Sequence, residues 1–519
     1  MRLRSWVASG LVASALVGGA IWANAKDQAA WVALDANGKL AYRALPTGDR
    51  IVDFSYAGYR GGGVPLPKVA VARTLSPSGA DDAAAIQKAL DEVSALPLGK
   101  DGFRGAVLLG PGTFQASQPL KIASSGVVLR GSGPATTLTL TGDPHIAVQI
   151  TGSEKIQALG KAVHIAEAYV PSGAREITLD DASGIAPGDT IRITRTTTPE
   201  WLHLMGMDRM TRDGKDEAWV GPRIATLRSV AAKQGQVLTL DVPLTDSYDR
   251  RYLPPEGAEV VKVDVTGAIE QDGLESLHIA APARATDFHG ELYQAAELKD
   301  VRDAWVRNLT VDDTTEGIDV GDNTLRITVE DVAFHHTATV TSAAKPADFA
   351  LRGGQILVLR ASSEGNDEMY VITGARNQGP NVLMDSTFRG DGHVQPHQRW
   401  STGLLVENVH VPGGGIDLMN RGEMGTGHGW TMGWGVVWNS SAATLVIQMP
   451  PGAANWSIGT SGDERGLPMK LIGIRGRDLG PNLPQGFIES PGHAVQPASL
   501  YRAQLAERLG PAALKALEP

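Results

Sequence analysis

Six of the twelve histidines in this 519-residue chain lie between His335 and His428, and arginines interleave with them. An imidazole titrates near neutrality and can move protons. A guanidinium grips a carboxylate through two parallel hydrogen bonds. Together they supply what cleavage beside a uronate requires: a cation on the carboxylate, a base for the α proton, and an acid for the leaving 4-linked oxygen. The densest stretch runs from Gly390 to Trp400, and within it His393 and His397 stand beside Arg399. These three, with Arg421 and His428, are the catalytic candidates. Arg376, Asn377, Trp400, Asn420, Trp430 and Trp434 are the substrate-binding candidates. The plainer alternative is structural: Asp385, Asp391, Asp417 and Glu423 pair with the arginines, and the histidines are hydrogen-bonded corner residues.

Spacing places these residues. Arg376, Arg399 and Arg421 are 23 and 22 residues apart, each at a polar or glycine-bearing corner. Short β-rich runs recur around them at similar intervals, among them Ile356-Leu357-Val358, Asn381-Val382-Leu383 and Leu404-Leu405-Val406. A strand–turn–strand unit repeated at near-constant period buries its apolar side only against neighbouring units. The expected fold is therefore all-β, a right-handed parallel β-helix. Stacked strands lie about 4.8 Å apart, which would set the three arginines one above another. Trp430, Trp434 and Trp438 recur every four residues, but the glycines between them oppose a helix. In an extended segment equal parity puts all three on one face, as a sugar-stacking platform or as core filling.

The start of the coils carries a resemblance. Gly79-Ala80-Asp81-Asp82 runs into Ala83-Ala84-Ala85-Ile86-Gln87-Lys88-Ala89-Leu90, and Gly105-Ala106-Val107-Leu108-Leu109 follows with Pro111-Gly112-Thr113-Phe114. This string resembles the opening of the pectate-lyase-like superfamily. The resemblance implies a β-helix whose first turn is capped by a short amphipathic helix, and a carbohydrate-active enzyme, by expectation a polysaccharide lyase. A cap covers the open end of a solenoid. The segments around Asp319, Asp367 and His428 are also similar to motifs of polygalacturonase-type hydrolases, which use paired carboxylates. Here the intervals are far longer than one coil, and the paired-aspartate motif is reduced to one residue. Asp319 and Asp367 are the alternative catalytic pair for an inverting hydrolase. A non-catalytic glycan-binding β-helix is the remaining alternative.

The organisation expected along the chain is as follows. Residues 1–25 read as a signal peptide: Arg2 and Arg4, an apolar run, then Ala23-Asn24-Ala25. A leader covers 26–77, the first coils 78–159, a β-rich insertion 160–250, the coils bearing the groove 251–498, and a C-terminal helix 499–519. The mature chain is expected to be secreted or periplasmic, monomeric and off the membrane. The absence of cysteine excludes disulfides and Cys-ligated zinc. Loss of Arg2 and Arg4 takes the formal charge from −10 to −12, which disfavours nucleic acid as a partner. An acidic polysaccharide is the expected partner. Either arginine or Ca²⁺ can neutralise the carboxylate in this chemistry. Ca²⁺ is the one metal it would use, with Asn366, Asp367, Asp385 and Asp391 as available oxygen ligands.

Overall fold

The computed structural model describes residues 28–518 apart from 209–210, 213–214, 217, 288, 343, 367, 425–426 and 467–482. The expected signal peptide lies outside the described residues. No described helix is long and apolar enough to cross a membrane.

The chain is a parallel β-helix of three sheets. In the first sheet Val107, Leu129, Leu274, Val306, Val329, Val358, Leu383, Val406 and Val437 are successive register partners. In the third, Val148, Ala296, Ile318, Phe349, Val371, Val394, Ile416 and Leu445 form a second ladder. Both ladders point into one continuous core. Burial of these side chains, at about 25 cal/mol per Å² of apolar area, drives the stacking.

Corner residues explain how each coil turns. Between the first and second sheets stand Asn308, Asp331, Arg360, Asp385, Asn408 and Asn439, all with φ between 46° and 55°. Asn and Asp tolerate this left-handed conformation better than other L-residues. Their side chains then bond along the stack: Asn408 Nδ2 donates to Asp385 Oδ1 at 2.7 Å, and Arg360 Nε to Asp331 Oδ1 at 2.6 Å.

Buried charge also ties coils together. The Glu275 carboxylate is buried and accepts from Arg130 on the preceding coil, and from Arg307 Nε (2.7 Å) and Trp305 Nε1 (2.9 Å) on the following one. Gly273 makes room for that indole, because a Cβ there would lie 2.4 Å from Trp305. Removing the carboxylate leaves two half-buried guanidinium groups without their partner. Glu275→Ala is expected to destabilise the fold by about 3–5 kcal/mol, which urea unfolding of the variant against the parent checks.

The helix Ala83–Ser94 covers the open end of the first coil through Ile86, Leu90 and Val93. Asp82 at its start accepts from the backbone N–H of Ser78 (2.9 Å) and of Gln115 (3.2 Å).

The insertion is wider than 160–250. The chain leaves the coil after Ile146–Thr151 and rejoins it at Ile269–Glu270. Strands at both of its ends, Lys155–Ala158 and Glu259–Thr266, pair antiparallel and carry the insertion's sheet out from the helix. Its core is its own, built on Ile177, Ile191, Ile193, Leu238, Leu240 and Val260.

The outer side of the first sheet is covered. Leu357, Leu359, Val382, Met384, Leu405, Val436 and Trp438 pack under Trp31, Ile51 and Phe54 of the leader and under Leu500, Tyr501 and Leu505 of the helix Leu500–Leu509. That helix ends at Gly510 (φ 84°), so the expected 499–519 helix is shorter, with a 3₁₀ segment Pro511–Leu517 after it. It lies along the side of the solenoid. That layer closes this outer face, and the accessible arginines and histidines lie towards the corner between the third and first sheets.

Candidate active site at the third corner

The third corner gathers the predicted arginines and histidines, in a different register from the one their spacing suggests. The backbone N–H of Arg376 donates to Arg399 O at 2.8 Å, and that of Arg399 to His428 O at 2.9 Å. His428, not Arg421, therefore stacks on Arg399. The reason is an antiparallel excursion closed by the Asn420–Trp430 bridge, which makes this coil longer than its neighbours. Arg421 opens that excursion and turns inward, where its Nη1 donates to His397 O at 2.9 Å.

Two imidazoles four residues apart sit in opposite environments. His393 is held by Asp417, with Nδ1 to Oδ2 at 2.6 Å, and Gln395 Nε2 donates to the same oxygen at 2.6 Å. The Asp417 hydrogen bond raises the His393 pKa above the ordinary imidazole value. Gly415 on the next coil leaves space for that ring, since a Cβ there would lie 2.5 Å from His393 Nδ1. His397 is pushed down to about 4, by burial first and then by Arg421, Arg352 and Arg399. His428 lies beneath it, with ring centroids 4.7 Å apart and edge to face, and is pushed down to about 3 by burial and by Arg421. Arg421 is itself buried, which lowers its pKa to about 10. The order of accessibility follows: His393, His397 and Arg399 are half-buried and reach solvent, whereas His428 and Arg421 form the floor.

The floor is fixed by the insertion. Trp219 Nε1 donates to His428 O at 2.9 Å, and Trp430 Nε1 to Met205 O at 3.0 Å. Trp201 and Trp219 stack at 5.3 Å and pack with Trp400 and Trp430 in a cluster of their own. A cavity of about 400 Å³ continues the corner between the insertion strand Arg223–Gln234 and the coils, lined by Arg223, Arg352, Gly353, Arg376 and Gln378 among others. Arg376 lies against Gly221, where a Cβ would sit 2.5 Å from its Nη1.

Several substrate-binding expectations need correction. Trp400, Trp430 and Trp434 are buried, so none presents a ring face to a sugar. Trp434 and Trp438 belong to the layer beneath the leader, whereas Trp430 belongs to the insertion interface. A left-handed residue at Trp434 (φ 61°) breaks the strand alternation that equal parity assumed. Asn377 is buried and donates to Leu351 O (3.0 Å) and Gly353 O (2.6 Å). Asn420 is buried, and its Oδ1 accepts from Gly422 N at 2.7 Å. Both hold the corner's shape.

The acids divide by position. Asp385 is engaged by Arg502 (2.6 Å) and Asn408 at the first corner. Asp391 is at the second corner, so these two proposed calcium ligands do not converge. Asp319, on the third sheet, accepts from Arg352 Nε at 3.1 Å, and burial raises its pKa. Glu297 is its register partner, and Glu316, also raised by burial, is a third carboxylate beside it. Asp367 lies outside the described residues. Sequence reasoning missed Arg223, Arg352, Gln395, Glu297 and Glu316. Arg352 was detectable, since it stands 24 residues before Arg376.

At neutral pH the third sheet and its corner offer a neutral imidazole at His397 as proton acceptor, an imidazole at His393 whose protonated form Asp417 favours, and arginines facing the cavity. No family model matches the chain, and no curated protein matches it. Among solved structures the chain is similar to the alginate lyase from Paenibacillus sp. str. FPU-7, at 10% identity over 82% of this chain and 99% of that one, with a TM-score of 0.38. It is similar to the tailspike gp61 of Pseudomonas phage phi297, at 13% identity over 79% of this chain and 73% of that one, with a TM-score of 0.36. It is also similar to an iota-carrageenase complexed to iota-carrageenan fragments, at 11% identity over 76% of this chain and 58% of that one, with a TM-score of 0.31.

Proposed function

We propose that the chain is an exported polysaccharide lyase that cleaves an acidic, uronate-containing glycan by β-elimination at the third corner. The observation that carries this reading is the pair of oppositely shifted imidazoles, His393 up against Asp417 and His397 down beside Arg421, Arg352 and Arg399. Environments that push two titratable groups apart assign the acid and the base. An arginine neutralises the uronate carboxylate and so acidifies the α carbon. His397 takes that α proton. The C–H electrons form the new C4–C5 double bond, the C4–O bond breaks, and the leaving oxygen takes the proton from His393. His428 and Arg421 beneath them are positioning residues.

Incubation with a panel of uronate and neutral polysaccharides tests this. The expected result is ultraviolet absorbance from an unsaturated product, with one double bond per new reducing end, on uronate polymers only. New reducing ends without absorbance would overturn it in favour of hydrolysis. That second reading has its own support, the adjacent carboxylates Glu297, Glu316 and Asp319, of which the last two are raised by burial. Binding without cleavage of any polymer would leave a glycan-binding β-helix.

A further inference from the structure

The second corner, between the second and third sheets, holds a buried cluster that the proposed elimination does not use. His336 follows the strand Leu325–His335, and Asp348 lies on the third-sheet strand Ala347–Leu351 of the same coil. Glu368 precedes Met369–Thr373, the third-sheet strand of the next coil, in which Met369 pairs with Ala347. One ligand atom from each of the three lies within 4.8 Å of the others. His336 Nε2 is 2.8 Å from Asp348 Oδ1. We propose that His336, Asp348 and Glu368 form a binding site for one divalent transition ion of the Zn²⁺ or Mn²⁺ type.

Three observations converge on this. The second carboxylate oxygen, Asp348 Oδ2, is fully buried and has no hydrogen-bond partner, on a side chain only 1% exposed. A buried carboxylate oxygen without a donor is costly, and a cation is the usual compensation. The group's own charge is −1 even when the imidazole is protonated, and a divalent ion with neutral His336 brings it to zero. The ligands are also held in place before any ion arrives. The His336 ring stacks on Phe334 at 5.9 Å with 6° between the planes. Gly365 on the next coil lies against that ring, where a Cβ would come within 2.7 Å of the His336 side chain. Gly317 on the preceding coil lies against the Asp348 backbone, where a Cβ would be 2.0 Å from Asp348 O.

The donor set selects the metal. One imidazole nitrogen and two carboxylates suit Zn²⁺ or Mn²⁺. Ca²⁺ takes six to eight oxygen ligands, more than this corner supplies. A small cavity lined by Asp313, Thr314, His336 and Glu368 adjoins the cluster and admits a water as a further ligand. An ion here pins two successive coils at their second corner, away from His397 and Arg399.

The test uses the full-length exported chain, stripped with chelator, equilibrated with Zn²⁺ and passed through gel filtration. The expected result is about one ion per chain and a raised thermal midpoint. Asp348→Asn and Glu368→Gln should each weaken uptake by more than the ~10–100-fold that loss of a mere supporting partner causes. His397→Ala, which alters the imidazoles of the third corner, should keep the ion. A wild-type chain without a stoichiometric ion overturns the proposal, as does retention in both carboxylate variants or loss in His397→Ala. Should the variants not fold, anomalous scattering from zinc-loaded wild-type crystals decides: a peak between the three side chains supports the site, and a peak elsewhere or none overturns it.

Discussion

His397→Ala is expected to lower kcat on a uronate polymer by about 10²–10⁴-fold, the range supplied by a positioned general base, with KM changed far less. In the proposed elimination the residue abstracts a proton in the transition state and makes no ground-state ion pair, so kcat and kcat/KM should fall together. Its environment also predicts an unusual pH profile for the parent. Burial and the charges of Arg421, Arg352 and Arg399 all disfavour the imidazolium and hold the pKa at about 4. The base is therefore already unprotonated across the neutral range. The acid limb of kcat/KM, which reports the free enzyme, should appear only as the pH approaches 4. An ordinary imidazole would lose activity around pH 6.5. An acid limb near 6.5 would remove His397 as the base. The same shift makes the fold less stable as pH falls from about 6.5 towards 4, because the unfolded chain then binds a proton that the folded one does not.

Much of this architecture is written locally, and the misreadings have a common physical origin. Each coil reports itself through adjacent residues. An apolar run such as Leu404-Leu405-Val406 is followed by an Asn or Asp that accepts positive φ, here Asn408. The capping helix is equally local, because Ile86, Leu90 and Val93 lie at helical spacing after Asp82. What a solenoid hides is the layer packed on its outside. Trp434 and Trp438 look like a platform until Trp31, some four hundred residues earlier, and Tyr501, more than sixty residues later, cover them. Register fails for a related reason. The spacing of Arg376, Arg399 and Arg421 is regular, but the Asn420–Trp430 excursion gives the stacking position to His428. A period counts residues and cannot separate those in the coil from those in a detour. The cluster survives because the guanidinium of Arg421 reaches back to His397 O. The insertion's limits at Gly152 and Gly267 lay hidden because its first and last strands have the same alternating pattern as the coils.

Asp417→Asn should produce the second large effect, and its pH dependence separates chemistry from packing. The carboxylate, 2.6 Å from His393 Nδ1, stabilises the imidazolium and raises its pKa. In the proposed elimination the leaving oxygen takes that proton. In the parent, kcat/KM should fall on the alkaline side as His393 loses it, above the ordinary imidazole value. Asn in place of Asp417 keeps the shape and removes the charge, so the alkaline limb should move to lower pH. The rate loss should then be on the order of tenfold at pH 8 and much smaller at pH 6. Stability gives an independent reading with a definite sign. A raised histidine pKa contributes stability that is fully present below the unfolded value near 6.5 and is lost as pH rises through the folded value. The parent's advantage over Asp417→Asn in urea should therefore be larger at pH 6 than at pH 9. A residue serving only to fill the third sheet would depress activity equally at both pH values and leave the limb where it was. With His397 setting the acid limb and His393 the alkaline one, two imidazoles on a single coil would bound a broad plateau, and each variant should move only its own edge.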